Sequence, residues 1–558
     1  MIKQTLLRSI LLSLFLFLTA CSGGGEDQEE TAVCTNGGTD YPSCTAPVCA
    51  NGGTDYPTCT APVCANGGTD YPTCTAPVCA NGGTDYPTCT APACANGGTD
   101  YPTCTAPVCA NGGTDYPTCT LPFCAIAGIE HPDCVDASLP EFLVESDFFN
   151  DTSSSIPVER QMTLVNEPGD DSSNLQTLIN QLNAQGGGNI TLPASPDPEW
   201  VLGEIKLASN VHIIVEPAVV IKPKRFTYNG PLFHLGYDGG PYIRNVSIRS
   251  SSATEQFTID MSDLSDDLYI LDEEPPRLVP FSVKHVENFM LSGVYVIDKG
   301  TVHSSVNLVP SKTDGIWAGA SNGLVKDITV INAHGGYGAV QVRVGENVFF
   351  KNIESLGGGA TLRIETDAVS ASGGQAPLEI SKIADIFGYN IKCKNGNAAV
   401  MIQPWGATNG RFDVQKIAAD SCGAAVRIDR AFVDWQTSSG QFTNPDNLPV
   451  GSFSADSRIT DVTTIYGTNA QVKQGTLPFV PCELRYLWLA DAIPYMETFH
   501  QGPSISPLLY AASSTTIDDP RFYSIMVPSE QELREKSTGF PSASKTISRD
   551  NEKLFACD

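Results

Sequence analysis

Ala360-Thr361-Leu362-Arg363-Ile364-Glu365-Thr366-Asp367 can be laid over three other segments by their small-residue lead-ins. These are Gly338-Ala339-Val340-Gln341-Val342-Arg343, Ala398-Ala399-Val400-Met401-Ile402-Gln403-Pro404-Trp405 and Ala424-Ala425-Val426-Arg427-Ile428-Asp429-Arg430. Residues two apart in a strand share a face, so Leu362, Ile364 and Thr366 turn one way and Arg363, Glu365 and Asp367 the other. Stacked as parallel rungs about 4.8 Å apart, the four segments make a grid. Its first column is Gln341, Arg363, Met401 and Arg427, its second Arg343, Glu365, Gln403 and Asp429, and its third holds Asp367 and Trp405. A Glu and an Asp at i and i+2 start about 6.6 Å apart. That falls in the ~6.5–9.5 Å of an acid and a base with a water between them, above the ~5–5.5 Å of an acid beside a nucleophile. For so common a pair, an exposed polar strand face is the plain alternative.

Upstream, Asp170-Asp171-Ser172-Ser173-Asn174 leads into apolar residues at 175, 178, 179 and 182, an amphipathic helix with a capping start. Gly186-Gly187-Gly188 stops it, and short apolar runs follow at 189–192, 205–207, 211–215 and 219–221. One phrase then recurs at irregular spacing: Arg244-Asn245-Val246-Ser247-Ile248, Glu287-Asn288-Phe289-Met290-Leu291, Leu324-Val325-Lys326-Asp327-Ile328 and Glu346-Asn347-Val348-Phe349-Phe350. Strands near-continuous in apolar residues suit the buried rungs of a solenoid with loops of varied length. A β-sandwich would show clearer alternation and hairpin turns. The expected fold class is all-β, a parallel β-helix entered through a capping helix. This entry resembles that of the pectin-lyase-like right-handed β-helices.

Lys3 and Arg8 precede the apolar run 11–18, which is too short to span a bilayer and has the layout of a secretory signal. Leu18-Thr19-Ala20-Cys21 resembles the lipobox of bacterial lipoproteins, and Ser22 fits outer-membrane sorting in that family. The resemblance implies lipidation at Cys21 and attachment to the bacterial cell envelope, facing the periplasm or the cell surface. From Cys34 to Cys134 seven units repeat every fifteen residues and carry fourteen of the nineteen cysteines. An exported chain keeps disulfides, and units this small need staples in place of a core. Pairing within each unit, as Cys49 with Cys59, is the expectation. A spacer is favoured over a calcium- or glycan-binding array, because one Asp per unit cannot supply the several oxygens of a calcium loop. The chain thus divides into a signal peptide (1–20), a linker (21–33), the repeats (34–134), a second linker (135–169), the β-helix (170–474) and a C-terminal cap or small domain (475–558).

A formal charge of −29 over 558 residues disfavours nucleic acid and anionic lipid as partners. A polyanionic partner would need a local basic patch. The seven histidines are scattered without metal-ligand spacing, so no cofactor is expected to be required. Calcium or chloride in the cleft is left open, as is the acidic run from Asp260 to Glu274, a solvated loop, calcium site or lid. Cys393 and Cys422 each precede a rung without sharing a column; a disulfide between coils and two buried thiols are both open. Cys482 and Cys557 could tie the C-terminal segment.

From Gly336-Tyr337-Gly338 through Glu346-Asn347, Arg363-Ile364-Glu365-Thr366-Asp367, Asn395-Gly396, Val400-Met401 and Ala425-Val426-Arg427, the chain resembles the iota-carrageenases, family 82 of the glycoside hydrolases. The specific part covers residues 335–435. The resemblance implies a right-handed parallel β-helix and inverting hydrolysis of β-1,4 bonds in a sulfated galactan; an endo-hydrolase is expected, with processive action left open, and the chain is expected to be a monomer. It makes Glu365 the general acid and Asp367 the base, with the family's glutamine on Gln341. Arg343, Arg363, Gln403, Trp405, Arg427, Asp429 and Arg430 are the expected substrate-binding residues. The chain departs from the family at Gln403-Pro404-Trp405, where Ser-Pro-His is usual, and at Ile428-Asp429-Arg430, where Val-Glu-His is usual. Trp405 could stack on a sugar and Arg430 meet a sulfate; altered preference and lost activity are the two readings. A polysaccharide lyase and a glycan-binding lipoprotein are the rival functions.

Overall fold

In the computed structural model, residues 143–552 are described, except 225–229, 265–276, 367–379, 381, 432–434, 437–441, 444–449, 491–498, 517–520 and 542–543. The chain divides between Ser138 and Leu139, and every described residue belongs to the second unit. The signal, Cys21 and the repeats lie outside the described residues.

Two parallel sheets wind together as a parallel β-helix. One is ten-stranded and runs in strict chain order from Ile205–Lys206 to Thr546–Ser548. Its central rungs are β1 (Val340–Val342), β2 (Ala360–Glu365), β3 (Ala398–Gln403) and β4 (Ala424–Ile428). The other sheet contains long strands such as Val286–Ile297, Ser321–Ile331, Gly345–Leu356 and Ile383–Lys394. Each of these turns two corners, and each corner is one residue in the left-handed region.

The first column of corners is Asn245, Asn288, Asn322, Asn347 and Asp385, with φ between +51° and +57°. The second is Gly293, Asp327, Asn352, Asn390 and Lys416. Register places the members of each column opposite one another on successive coils. A left-handed residue with a Cβ costs about 1–2 kcal/mol, and Asn and Asp tolerate it best because a short polar side chain bonds locally. Here those side chains bond to each other. Asn288 donates to Asn245 at 2.9 Å, Asn347 to Asn322 at 2.9 Å and Asn390 to Asn352 at 2.8 Å. The recurring Asn or Asp of the sequence phrases is therefore the corner that lets one coil repeat the shape of the last.

Inside, Val340, Leu362, Val400 and Val426 stack fully buried, as do Val342, Ile364, Ile402 and Ile428. Helix α1 (Ser172–Ala184) closes the N-terminal end with Leu175, Ile179 and Leu182 in the core. Its start is satisfied by Asp170, which accepts from the Ser172 amide at 3.0 Å, while Asp171 makes no side-chain cap.

Two expected boundaries are corrected. Residues 143–163, read as linker, are docked: Phe148 packs 5.0 Å from Phe349 and 5.3 Å from Phe387, and Glu145 pairs with Lys326 and Lys351. The segment ends as a strand, Gln161–Thr163, added to the larger sheet. Beyond 474 the coil continues, because Ser506–Tyr510 pairs with β4 and Thr546–Ser548 with Ser506–Tyr510. What interrupts it is an antiparallel insertion of β5 (Ala470–Lys473), Leu489–Ala490 and Phe499–Gly502. Cys393 and Cys422 form a disulfide, with Cα atoms 6.4 Å apart. Cys482 is also disulfide-bonded; its expected partner, Cys557, lies outside the described residues.

The corner columns make a direct prediction. Asn347→Ala will lower unfolding free energy by about 1–3 kcal/mol, from left-handed strain plus a lost side-chain bond, and Asn347→Gly by less. Urea unfolding of residues 139–558 measures both, and equal losses would contradict the corner role.

Candidate active site

The grid expected from the sequence is present where its residues are described. Gln341 lies opposite Arg363, Arg363 opposite Met401, Met401 opposite Arg427, and Glu365 opposite Gln403. These side chains leave the outer face of the ten-stranded sheet because their neighbours fill the core. Asp367, the expected base, lies outside the described residues, one position beyond Thr366. Thr366 itself turns inward and donates its hydroxyl to the Pro404 carbonyl at 2.6 Å.

Glu365 is 5% exposed, Arg363 8% and Gln341 2%, so the face is a deep floor and not a solvated strand. Arg363 Nε forms an ion pair with Glu365 Oε2, and Gln341 Nε2 donates to the same oxygen at 3.1 Å. The guanidinium also donates to the Gly336 carbonyl and lies over the Tyr337 ring, 5.4 Å from its centre. Tyr337 in turn contacts His303 and His334 at ring distances of 5.5 and 5.4 Å. The turns bearing these groups approach closely: a Cβ on Gly338 would lie 1.8 Å from the Ala360 carbonyl, and one on Gly359 1.8 Å from the Tyr337 carbonyl. Only glycine fits at both places.

Burial alone would push the Glu365 carboxyl up. Arg363, by charge and hydrogen bond, and then Lys473 and Arg343, outweigh it and hold Glu365 below the usual carboxylate range. Burial also takes His334 and His303 down to about 4, so both are neutral at pH 7.

On the next rungs, Gln403 donates to the Arg430 carbonyl at 3.3 Å. Arg427 grips Asp429 with two bonds of 2.9 Å each. Trp405 follows β3 in the left-handed region at φ +48°, half-buried, in a loop pinned by Asn409. Arg343 acts electrostatically on Glu365 and on His303. The Arg430 guanidinium acts electrostatically on Glu552.

Lys473 is the site residue that sequence reasoning missed. It ends β5 and lies within electrostatic reach of Arg363, Arg427, Glu365 and Asp429. The alternation Ala470-Gln471-Val472-Lys473 marks a strand, but nothing in the sequence lays that strand over β2 and β4. Beyond Arg427, the first column becomes Leu509 and Ile547. Both pack beneath the insertion with Val472, Val480 and Trp488, so the polar floor ends where the insertion covers it. Among the described residues no three His, Cys, Asp or Glu side chains converge on a metal position.

No protein-family model matches the sequence. The iota-carrageenase of Alteromonas macleodii is 33% identical over 274 residues, 48% of this chain and 51% of that protein. The match thus spans about half of that relative's length. The iota-carrageenase of Zobellia galactanivorans is 27% identical over 372 residues, 57% of this chain and 71% of that protein. The solved structure of an iota-carrageenase complexed to iota-carrageenan fragments is 25% identical, with a TM-score of 0.61 over 75% of this chain and 97% of that one. Fold and site define a right-handed parallel β-helix bearing an ion-paired acid on the outer face of one sheet. More particularly, the chain is iota-carrageenase-like.

The Arg363–Glu365 pair sets a pH signature. Arg363→Met strands a buried carboxylate and will cost about 3–5 kcal/mol at pH 7. A depressed carboxyl pKa contributes stability that is present above the unfolded pKa and lost as pH falls through the folded one. Without Arg363, burial raises the Glu365 carboxyl of the variant, so on acidification it is neutralised before that of the wild type and the deficit must shrink. Denaturant unfolding at pH 7 and pH 4 checks this; an unchanged deficit would show that the pair is not what Arg363 contributes.

Proposed function

We propose that this chain is a glycoside hydrolase that cleaves iota-carrageenan or a related sulfated galactan. The observation that carries the reading is Glu365: a buried carboxyl on a parallel β-helix rung, held by Arg363 and Gln341, in a chain whose relatives are named iota-carrageenases. The resemblance supplies the finer mechanism. Glu365 protonates the leaving oxygen of a β-1,4 bond, and Asp367 activates a water on the opposite side of the sugar, inverting the anomeric centre. Gln341 orients the acid. Arg343, Arg363 and Arg427 set positive charge where a polyanionic chain would lie, although the protein as a whole is acidic. The lipobox-like Cys21 and the repeats would hold this domain off a bacterial outer membrane.

The ionised state of Glu365 in the free protein has to change for it to act as an acid. A sulfated chain laid against Arg363, Arg343 and Lys473 adds negative charge that offsets what lowers its pKa, leaving burial to raise it. The acid is thus loaded by its own substrate.

Glu365→Gln and Asp367→Asn will each lower kcat on iota-carrageenan by ~10²–10⁴-fold with intact fold, read as new reducing ends. Activity retained in both variants would remove them from the chemistry. The alkaline limb of kcat will lie at higher pH than that of kcat/KM, since kcat reports the acid in the complex and kcat/KM the acid in the free enzyme. Coincident limbs would mean that substrate does not load Glu365.

A further inference from the structure

The insertion between the last rungs brings a cation into the site that no motif announces. β5 is docked from both sides: the Gln471 amide donates to the Gly396 carbonyl at 3.1 Å, and the Gly358 amide donates to Gln471 Oε1 at 2.8 Å. Val472 fills a buried apolar patch with Ala424 and Leu509, and a Cβ on Gly423 would lie 2.8 Å from it. The Cys393–Cys422 disulfide braces the turn on which Gln471 leans, with the Gly396 amide 3.3 Å from Cys422 Sγ. Lys473 follows two residues after Gln471, half-buried over the polar floor.

The groups that face Lys473 are Arg363 and Glu365 from β2, Arg427 and Asp429 from β4, and His334 from the turn before β1. Both carboxylates already have arginine partners, Glu365 with Arg363 and Asp429 with Arg427. The Lys473 backbone pairs with Phe499, but its side-chain amine makes no ion pair or hydrogen bond among the described residues. A half-buried amine, fixed by a docked strand and left without an acceptor between two arginines, is a site for an added anion.

We propose that Lys473 takes a sulfate ester of the bound glycan and that this contact takes up a proton from solvent, so that the site reads substrate charge in a pH-dependent way. The proposal rests on the reading of the site as one for a sulfated galactan. The amine accepts a proton and the resulting ammonium donates to the sulfate oxygens; no other bond is made or broken. Burial first, then Arg363 and Arg427, bring the Lys473 amine down to about 7, within the pH range where such uptake is visible. The sign follows from linkage: below that value the ammonium is already formed, and above it binding must recruit the proton, so affinity falls as pH rises.

The test is the affinity of the soluble protein for a short iota-carrageenan oligosaccharide and its desulfated counterpart, titrated from pH 6 to 8.5. For the sulfated ligand, Kd will rise with a slope approaching about tenfold per pH unit above 7, and for the desulfated ligand it will stay flat. Lys473→Arg, charged throughout, will bind the sulfated ligand with no such slope, and Lys473→Gln will bind it weakly at every pH. A flat profile in the wild type, or the wild-type slope persisting in Lys473→Arg, would overturn the proposal, as would no binding at pH 6. If the slope is present but no reducing ends appear on the polymer, the hydrolase reading fails while the sulfate contact stands.

Discussion

In-register stacking is the constraint on which the rest depends. A parallel coil can repeat at the strand spacing only if each coil turns its corners at the same places, and two columns of left-handed residues fix those places. The cost of each corner is met by Asn and Asp side chains that bond along the column. Once the coils superpose, alternation inside each rung does two jobs. Val340, Leu362, Val400 and Val426 build the core, while Gln341, Arg363 and Glu365 are delivered to one outer face at fixed height.

That delivery explains the electrostatics of the site. Glu365 sits on a floor where burial would neutralise it, and the arginine two residues away keeps it charged. A buried ion pair adds little to stability against a hydrophobic replacement, so its presence here is better read as a constraint on function than on folding. The same floor turns apolar at Leu509 and Ile547, and the insertion seated there contributes Lys473. One end of the polar surface is therefore closed by a segment outside the repeating pattern.

Much of this was legible in the sequence. The lead-ins Ala398-Ala399 and Ala424-Ala425 gave the correct register for the outward residues from Gln341 to Arg427, because β-helix rungs repeat both turn and strand. The helix at 172–184 was legible from its apolar spacing. Residues 143–163 were not, since Phe148 and Glu145 find their partners some 200 residues away on the outside of a sheet. Lys473 was not, because its strand is antiparallel and its target face is set by coils far upstream. Nor was the net charge state of Glu365, which depends on the balance of burial against three cations.

Whether Glu365 stands at a scissile bond is tested most directly by proton NMR of the first products formed from iota-carrageenan. An acid and a base working from opposite sides of a β-linkage give saturated oligosaccharides whose new reducing ends appear first as the α-anomer. Products that begin as the β-anomer, products with unsaturated ends, or no products at all would contradict that placement.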